Sequence, residues 1–358
     1  MNLSKIEHDQ YVERLDNPEY INAIDRYKMF TLLNNFSSQL KEGMRNKIDL
    51  SFSNVNNVVI GGMGGSSIGG YIFKSILEDL SPFPIEVVNR YTLPGYVSEK
   101  SVVIIASYSG NTEETISMLR EAIKKTKKII CITSGGAIKD ICEEASIPYI
   151  TIKPGYPPRA AMGYMLIPLL KIAETAKLID AGPVVSESID VIEEMNNNLS
   201  IGVPVEHNIA KQIAIKLMWK YISVYGSTTR MYPAALRFKT EINENSKMHV
   251  NLNYFPEMNH NDVEGWEGGY FMNRVAIIFR DKNESDELRK RIEVTKSMVM
   301  DPDNLIELYP KGNSVLANIL SQIYAGDYIS LYLAILYGVD PGEVKIIQKI
   351  KSLLTSKS

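Results

Sequence analysis

The sequence predicts an α/β protein of two doubly wound domains, each a mainly parallel sheet flanked by helices, and three observations lead there. A chain of 358 residues can bury two cores at about 100–200 residues per domain. Between residues 57 and 152, short runs rich in Val and Ile alternate with helical stretches. Such alternation argues for a parallel sheet with its ligands at the carboxyl ends of the strands. The same order of elements returns after residue 205 with unrelated sequence.

Taken in order, residues 5 to 50 read as helices, with Tyr11, Leu15 and Tyr20 leading into Ala23 to Asn35 and then Phe36 to Met44 at helical spacing. We assign residues 1–50 to an N-terminal helical extension, 51–200 to a first domain and 205–358 to a second. In the first domain the strands are Asn57 to Ile60, Ile85 to Val88, Val102 to Ala106, Lys128 to Thr133 and Tyr149 to Ile152. Helices are expected over Tyr71 to Leu80, Glu113 to Lys125, Ile138 to Ala145, from about Met162 through Ala176, and over Ile189 to Leu199. Ser200 to Pro204 forms a hinge. In the second domain, helices are expected at His207 to Trp219, Pro233 to Asn245 and Ser285 to Met300. Strands are expected at Tyr221 to Tyr225, Val275 to Arg280 and Asn304 to Tyr309. A long apolar helix from Val315 to Tyr337, interrupted near Gly326-Asp327, and a last helix from Pro341 to Leu354 complete the chain.

Composition narrows the function. A net charge of -3 with Lys and Glu interspersed gives no polycationic face, which argues against nucleic acid or an anionic membrane as partner. A small metabolite fits better. The opening residues have no apolar signal core and no run approaches the roughly 18–20 apolar residues of a membrane span, so a cytoplasmic location is expected. Cys131 and Cys142 lie in apolar patterns without CxxC spacing and read as reduced core residues. With four histidines and no Cys/His cluster, no metal is expected.

The chemistry concentrates in a few stretches. Ser107-Tyr-Ser-Gly-Asn-Thr112-Glu-Glu-Thr115 follows a buried-type strand and opens a helix. The first-turn N–H groups of a helix lack partners and the helix dipole is positive there, so a phosphate is the natural guest. Capping alone would need fewer hydroxyls. The run Gly61 to Gly70 fits neither a dinucleotide fingerprint, whose last glycine would fall on Ser67, nor a phosphate-loop motif, which needs Gly-Lys-Ser/Thr where this chain has Gly69-Gly70-Tyr71. What remains is a glycine-rich strand-to-helix turn whose amides can approach a ligand, with Ser66 offering a hydroxyl. Neighbouring strands in such a sheet would carry the two stretches to either side of one small site. Arg159 sits at a turn-to-helix junction after three prolines. Glu241 and Glu244 are carboxylates near a helix end with apolar neighbours, where desolvation can make a Glu a usable base. His260, within Asn259-His-Asn-Asp, lies in a loop and can change charge near neutrality.

Together the glycine turn, Ser107-Tyr-Ser-Gly-Asn-Thr-Glu-Glu, Pro158-Arg-Ala-Ala-Met-Gly-Tyr164, Asn243-Glu-Asn with His260-Asn-Asp downstream, and Ala325-Gly-Asp-Tyr-Ile-Ser330 before Val339-Asp-Pro341 resemble the archaeal-type bifunctional phosphoglucose/phosphomannose isomerases, which are built from two sugar-isomerase (SIS) domains. The resemblance runs from about residue 50 to the end. It implies that Gly64, Gly65, Ser66, Ser107, Ser109 and Thr112 hold the phosphate of a hexose 6-phosphate. It also implies that Arg159 lies beside the reacting carbons, that Glu244 is the base and that His260 assists ring opening from the neighbouring subunit of a homodimer with shared active sites. Lys351 would act at the ring oxygen, with Lys349 the competitor. Some relatives carry a threonine near Gly342 or Val344 that accommodates mannose stereochemistry, and this chain has none there. The implied reaction interconverts glucose and mannose 6-phosphates with fructose 6-phosphate through a cis-enediol(ate) and needs no metal or organic cofactor. A non-catalytic SIS sensor would bind the same phosphate without a base. The isomerase part of a glutamine amidotransferase would need an N-terminal Cys, and no cysteine precedes Cys131.

Overall fold

The computed structural model describes residues 5–45, 48, 52–268 and 273–355. The edges of the expected extension at residues 1–4 and 49–50 lie outside them. The extension contains α1 (Lys5–Leu15), α2 (Pro18–Ile24), α3 (Met29–Asn34) and α4 (Phe36–Met44). It is more broken than expected over Ala23 to Asn35. Buried Asp25 ends α2 and then accepts the main-chain N–H groups of Met29 and Phe30 at 2.8 and 3.1 Å, so one carboxylate stops one helix and starts the next.

The first domain runs β1 (Asn57–Gly62), α5 (Gly65–Leu77), β2 (Ile85–Val88), β3 (Ser101–Ala106), α6 (Glu113–Lys125), β4 (Ile129–Thr133), α7 (Gly136–Glu144) and β5 (Tyr149–Thr151). Its sheet is parallel with order β2-β1-β3-β4-β5. The order reverses between β1 and β3, and ligands of such sheets bind at that crevice. The glycine-rich run is helical from Gly65 and not only from Tyr71. Ile68, Ile72 and Ile76, at i, i+4 and i+8, are buried on one face, and that burial outweighs the cost of glycines in the first turns.

The helices α8 (Met162–Thr175) and α9 (Ala181–Leu199) follow, the latter starting earlier than Ile189. The second domain contains α10 (Ile209–Leu217), β6 (Tyr221–Gly226), α11 (Tyr232–Asn245), β7 (Val250–Tyr254), α12 (Glu264–Glu267), β8 (Arg274–Phe279), α13 (Asp286–Val299), β9 (Leu305–Leu308), α14 (Val315–Leu336) and α15 (Lys345–Thr355). Its parallel sheet has the order β7-β6-β8-β9, which repeats the order β2-β1-β3-β4 of the first without a counterpart of β5. Strand β7 was not expected, although Val250-Asn-Leu-Asn-Tyr254 alternates as a strand should.

Two further differences concern the end of the chain. The helix α14 is unbroken through Gly326-Asp327. A side chain at Gly326 would meet Phe238 at 2.9 Å, so the glycine admits α11 to close packing, and Asp327 is tolerated because Arg237 pairs with it. The last helix begins at Lys345, not Pro341. Apolar enough by composition to cross a membrane, α14 is 94% buried in its most apolar stretch and packs against α9, α10 and α11. One continuous apolar core joins the N-terminal helices, α8 and α9 to the second domain.

Candidate functional site

Parallel pairing of β1 with β3 ends at Gly62 opposite Ala106, which puts the glycine turn and the serine-rich turn side by side. Buried Ser66 ties them together, its Oγ accepting the N–H of Tyr108 at 3.1 Å. The serine-rich turn closes through Gly110 N–H to the Ser107 carbonyl. Gly110 has φ +68°, and a Cβ there would fall 1.7 Å from the Gly135 carbonyl oxygen, so only glycine fits. Ser107 Oγ lies 3.4 Å from Thr112 Oγ1, and Ser109 Oγ accepts from the Asn111 N–H. Thr112 occupies the N-cap position of α6 yet makes no side-chain capping bond to its own helix. The first-turn amides of α6 are thus left without a side-chain cap from Thr112, as an anion site at a helix start requires.

Gly64 caps α5 with φ +50°. A side chain at Gly65 would meet the Arg159 main chain at 3.1 Å, so the start of α5 rests directly on the short turn Pro158–Ala161. Arg159 is buried. Its Nε donates to Asn245 Oδ1 at 2.9 Å, and its Nη2 donates to the carbonyls of Pro341 and Gly342 at 2.6 and 3.2 Å. Its Nη1 lies 3.4 Å from Glu244 Oε2. The route from cradle to carboxylate is therefore short: α5 against Arg159, Arg159 against Glu244.

Glu244 sits in the last turn of α11 with its side chain 28% exposed. Desolvation and the charge of Glu241 raise its pKa, while Arg159, Arg237 and Lys247 pull it back. Lys247 donates to the carbonyls of Glu244 and Glu343. Burial, and then the charge of Arg159, hold its ammonium below the usual range.

His260 and Lys351 lie elsewhere in the chain. His260 ends the exposed turn Glu257–His260, anchored by Asp262, which accepts from buried Tyr225 at 2.5 Å and from Asn251 at 3.0 Å. Lys349 and Lys351 lie on the exposed α15. The contacts joining cradle, Arg159 and Glu244 run through neither. At Gly342 a Cβ would fall 2.1 Å from Tyr27 Cβ, so a threonine would find no space there. Sequence reasoning missed Asn245 and Asp327. The run from Arg237 to Asn245 carries Arg, Glu and Asn at helical spacing, and that was the available signal.

The second half of the chain matches the bacterial phospho-glucose isomerase C-terminal SIS domain over residues 206–354, and residues 51–155 match the SIS domain. A bifunctional phosphoglucose/phosphomannose isomerase from Caldicellulosiruptor bescii is 38% identical over 339 residues, covering 91% of this chain and 98% of the relative. One from Thermoplasma acidophilum is 34% identical over 316 residues, covering 88% and 95%. The chain belongs to the bifunctional phosphoglucose/phosphomannose isomerase family. Its fold is also that of a solved glucose-6-phosphate isomerase-like protein from Thermus thermophilus, with a TM-score of 0.61 at 18% identity and coverage of 94% and 98%. Both sheets of this family member are SIS folds, and the crevice described above lies in the first.

Proposed function

We propose that the protein is an aldose–ketose isomerase that interconverts glucose 6-phosphate and mannose 6-phosphate with fructose 6-phosphate through a cis-enediol(ate). The carrying observation is the juxtaposition of Glu244, a carboxylate raised in basicity yet reachable from outside, with Arg159 beside a hydroxyl-rich turn whose Thr112 makes no capping bond. In this reading Gly64, Gly65, Ser66, Ser107, Ser109 and Thr112 hold the phosphate. Glu244 removes the C2 proton of the open-chain aldose and returns it at C1, and Arg159 offsets the charge of the enediolate. Such fixed opposing charge is often the largest single catalytic term.

Ring opening needs a donor at the ring oxygen and an acceptor at the anomeric hydroxyl. We assign these to Lys351 and His260, supplied within a cytoplasmic homodimer whose sites are shared. The exposure of His260 and of Ile346, Ile350 and Leu354 on α15 supports that assignment, because a second copy could cover this face. The enediol has lost the C2 configuration, so reprotonation from either side gives glucose or mannose 6-phosphate.

Turnover of fructose 6-phosphate in deuterium oxide tests the reading. Both aldose products should appear and carry deuterium at C2. Tight hexose-phosphate binding with neither product nor exchange would instead mark a sensor.

A further inference from the structure

Beneath Arg159 and Glu244 lies a buried charge cluster that the reaction as described does not use. Arg237 donates to Asp327 through Nε at 3.0 Å and Nη2 at 2.8 Å. Its Nη1 lies 3.0 Å from Glu241 Oε1, and Nη2 also donates to the main-chain carbonyl of Arg159 at 2.8 Å. Glu241 Oε2 accepts from Asn245 Nδ2 at 2.9 Å, and the same amide holds Arg159 Nε through Oδ1. Arg159 is thus fixed at both ends, by its carbonyl through Arg237 and by its guanidinium through Asn245. The chain of bonds joins α11 and α14 of the second domain to the turn that carries Arg159 in the first.

The charge balance matters as much as the geometry. Arg159 and Arg237 face three carboxylates, Glu241, Glu244 and Asp327. A base paired with arginine is weakened, because the cation favours its ionised form. A second buried carboxylate beside the base opposes that effect, and the charge of Glu241 raises Glu244 in this way against the pull of Arg159, Arg237 and Lys247. We propose that Arg237, Glu241 and Asp327 are positioning residues of the isomerisation, which aim Arg159 at Glu244 and keep Glu244 basic beside it, Glu241 by its own charge and Asp327 by offsetting that of Arg237. The inference rests on Glu244 being the base.

Burial raises the Asp327 carboxyl, the paired Arg237 pulls it back and the charge of Glu241 adds to the rise. The other charges near this cluster are Lys247, close to Glu244 on its own chain segment, and Asp340 and Glu343 on the turn above. Arg26 takes up both of those carboxylates at 3.0 and 2.9 Å. They are unaltered in every variant below.

The test compares pH profiles of kcat/KM and kcat for glucose 6-phosphate in the wild type, E241Q, D327N and D327E, with melting temperatures recorded for each. The titration of the substrate phosphate is common to all and cancels. The acidic limb should move down by on the order of one pH unit in E241Q, which removes a charge that raises Glu244, and in D327N, which leaves the charge of Arg237 less offset; one unit is the worth of a charge about 10 Å away at an effective dielectric near 20. In D327E, which restores the charge, it should return towards the wild-type position. The two isosteric variants report independently, so one that failed to fold would leave the other to decide. A lower melting temperature with an unmoved limb would overturn the proposal, since a purely structural cluster gives that result. E244Q separates the two readings. If it is inactive while the limbs stay put, only this inference falls. If it keeps turnover, the assignment of the base falls and this inference with it.

Discussion

Four strands of the first sheet and the four of the second share one order, and the turns after β3 and β8 share one length, yet only the first of these turns is lined with hydroxyls. The strand β3 passes to α6 through residues 107–112, and β8 passes to α13 through residues 280–285. The main-chain N–H of Ser107 donates to Ile132 and that of Arg280 to Leu308, in the same place beside the next strand. In the first turn the positions hold Ser, Tyr, Ser, Gly, Asn and Thr, and Thr112 leaves its helix uncapped. In the second, Ser285 Oγ caps its own helix at Leu288 N–H. Arg280 is bound by Glu284 and lies near Glu293 and Glu307, and Asp281 accepts from Thr228 at 2.9 Å. A dianion approaching that crevice would meet carboxylates. Topology thus offers an anion site twice, and side chains decide which is filled from within the protein.

The division of labour that follows is sharpest at Glu244. E244Q keeps the side chain's shape and removes the proton acceptor, so kcat should fall by about 10²–10⁴-fold, the usual worth of a positioned general base. Binding of a hexose 6-phosphate should stay within a few-fold, because the proposal gives the grip on phosphate to the other sheet. Isothermal titration beside the turnover assay checks both. An active E244Q would move the base to Glu241 or elsewhere and dissolve the contrast between the two halves.

The opposite signature is expected from the cradle. Ser109→Ala should weaken substrate binding by about 1.5–3 kcal/mol, the scale of a hydrogen bond to a charged group, with kcat little changed. KM measured against kcat reads the split. An unchanged KM would displace the phosphate from this turn.

These two halves also differ in how they could be read from sequence. The cradle is local: one strand, six turn residues and one helix start lie together along the chain, so Ser107 to Thr112 announce it. The neighbouring position of Gly61 to Gly65 follows from the alternation of strands and helices. The buried charge cluster is not local. Arg159, Arg237 and Asp327 are far apart in sequence and meet only because α11, α14 and the turn before α8 pack together. Asp327 even misled the reading, since Gly-Asp inside an apolar helix signals a break unless a partner such as Arg237 is known. His260 and Lys351 are proposed from their place in the motif, and both are exposed, His260 at the end of a turn and Lys351 on α15.

The smallest effect is expected where the second domain's other turn has been put to structural use. In the first domain the passage from β1 into α5 is Met63-Gly64 between Gly62 and Gly65, beside the crevice. In the second, β6 leads into Thr229 and Arg230, and Arg230 bonds Asp79, just beyond the C-terminal end of α5. A carboxylate there opposes the helix dipole, and the guanidinium offsets it while joining the two domains. Asp79 is 73% exposed, so screening limits the pair to about 0–1 kcal/mol. R230A should therefore lower the melting temperature by only a few degrees and leave both KM and kcat within a factor of two. A loss of hexose-phosphate binding in R230A would show that the second turn also handles substrate, and the contrast between a filled and an open crevice would have to be abandoned.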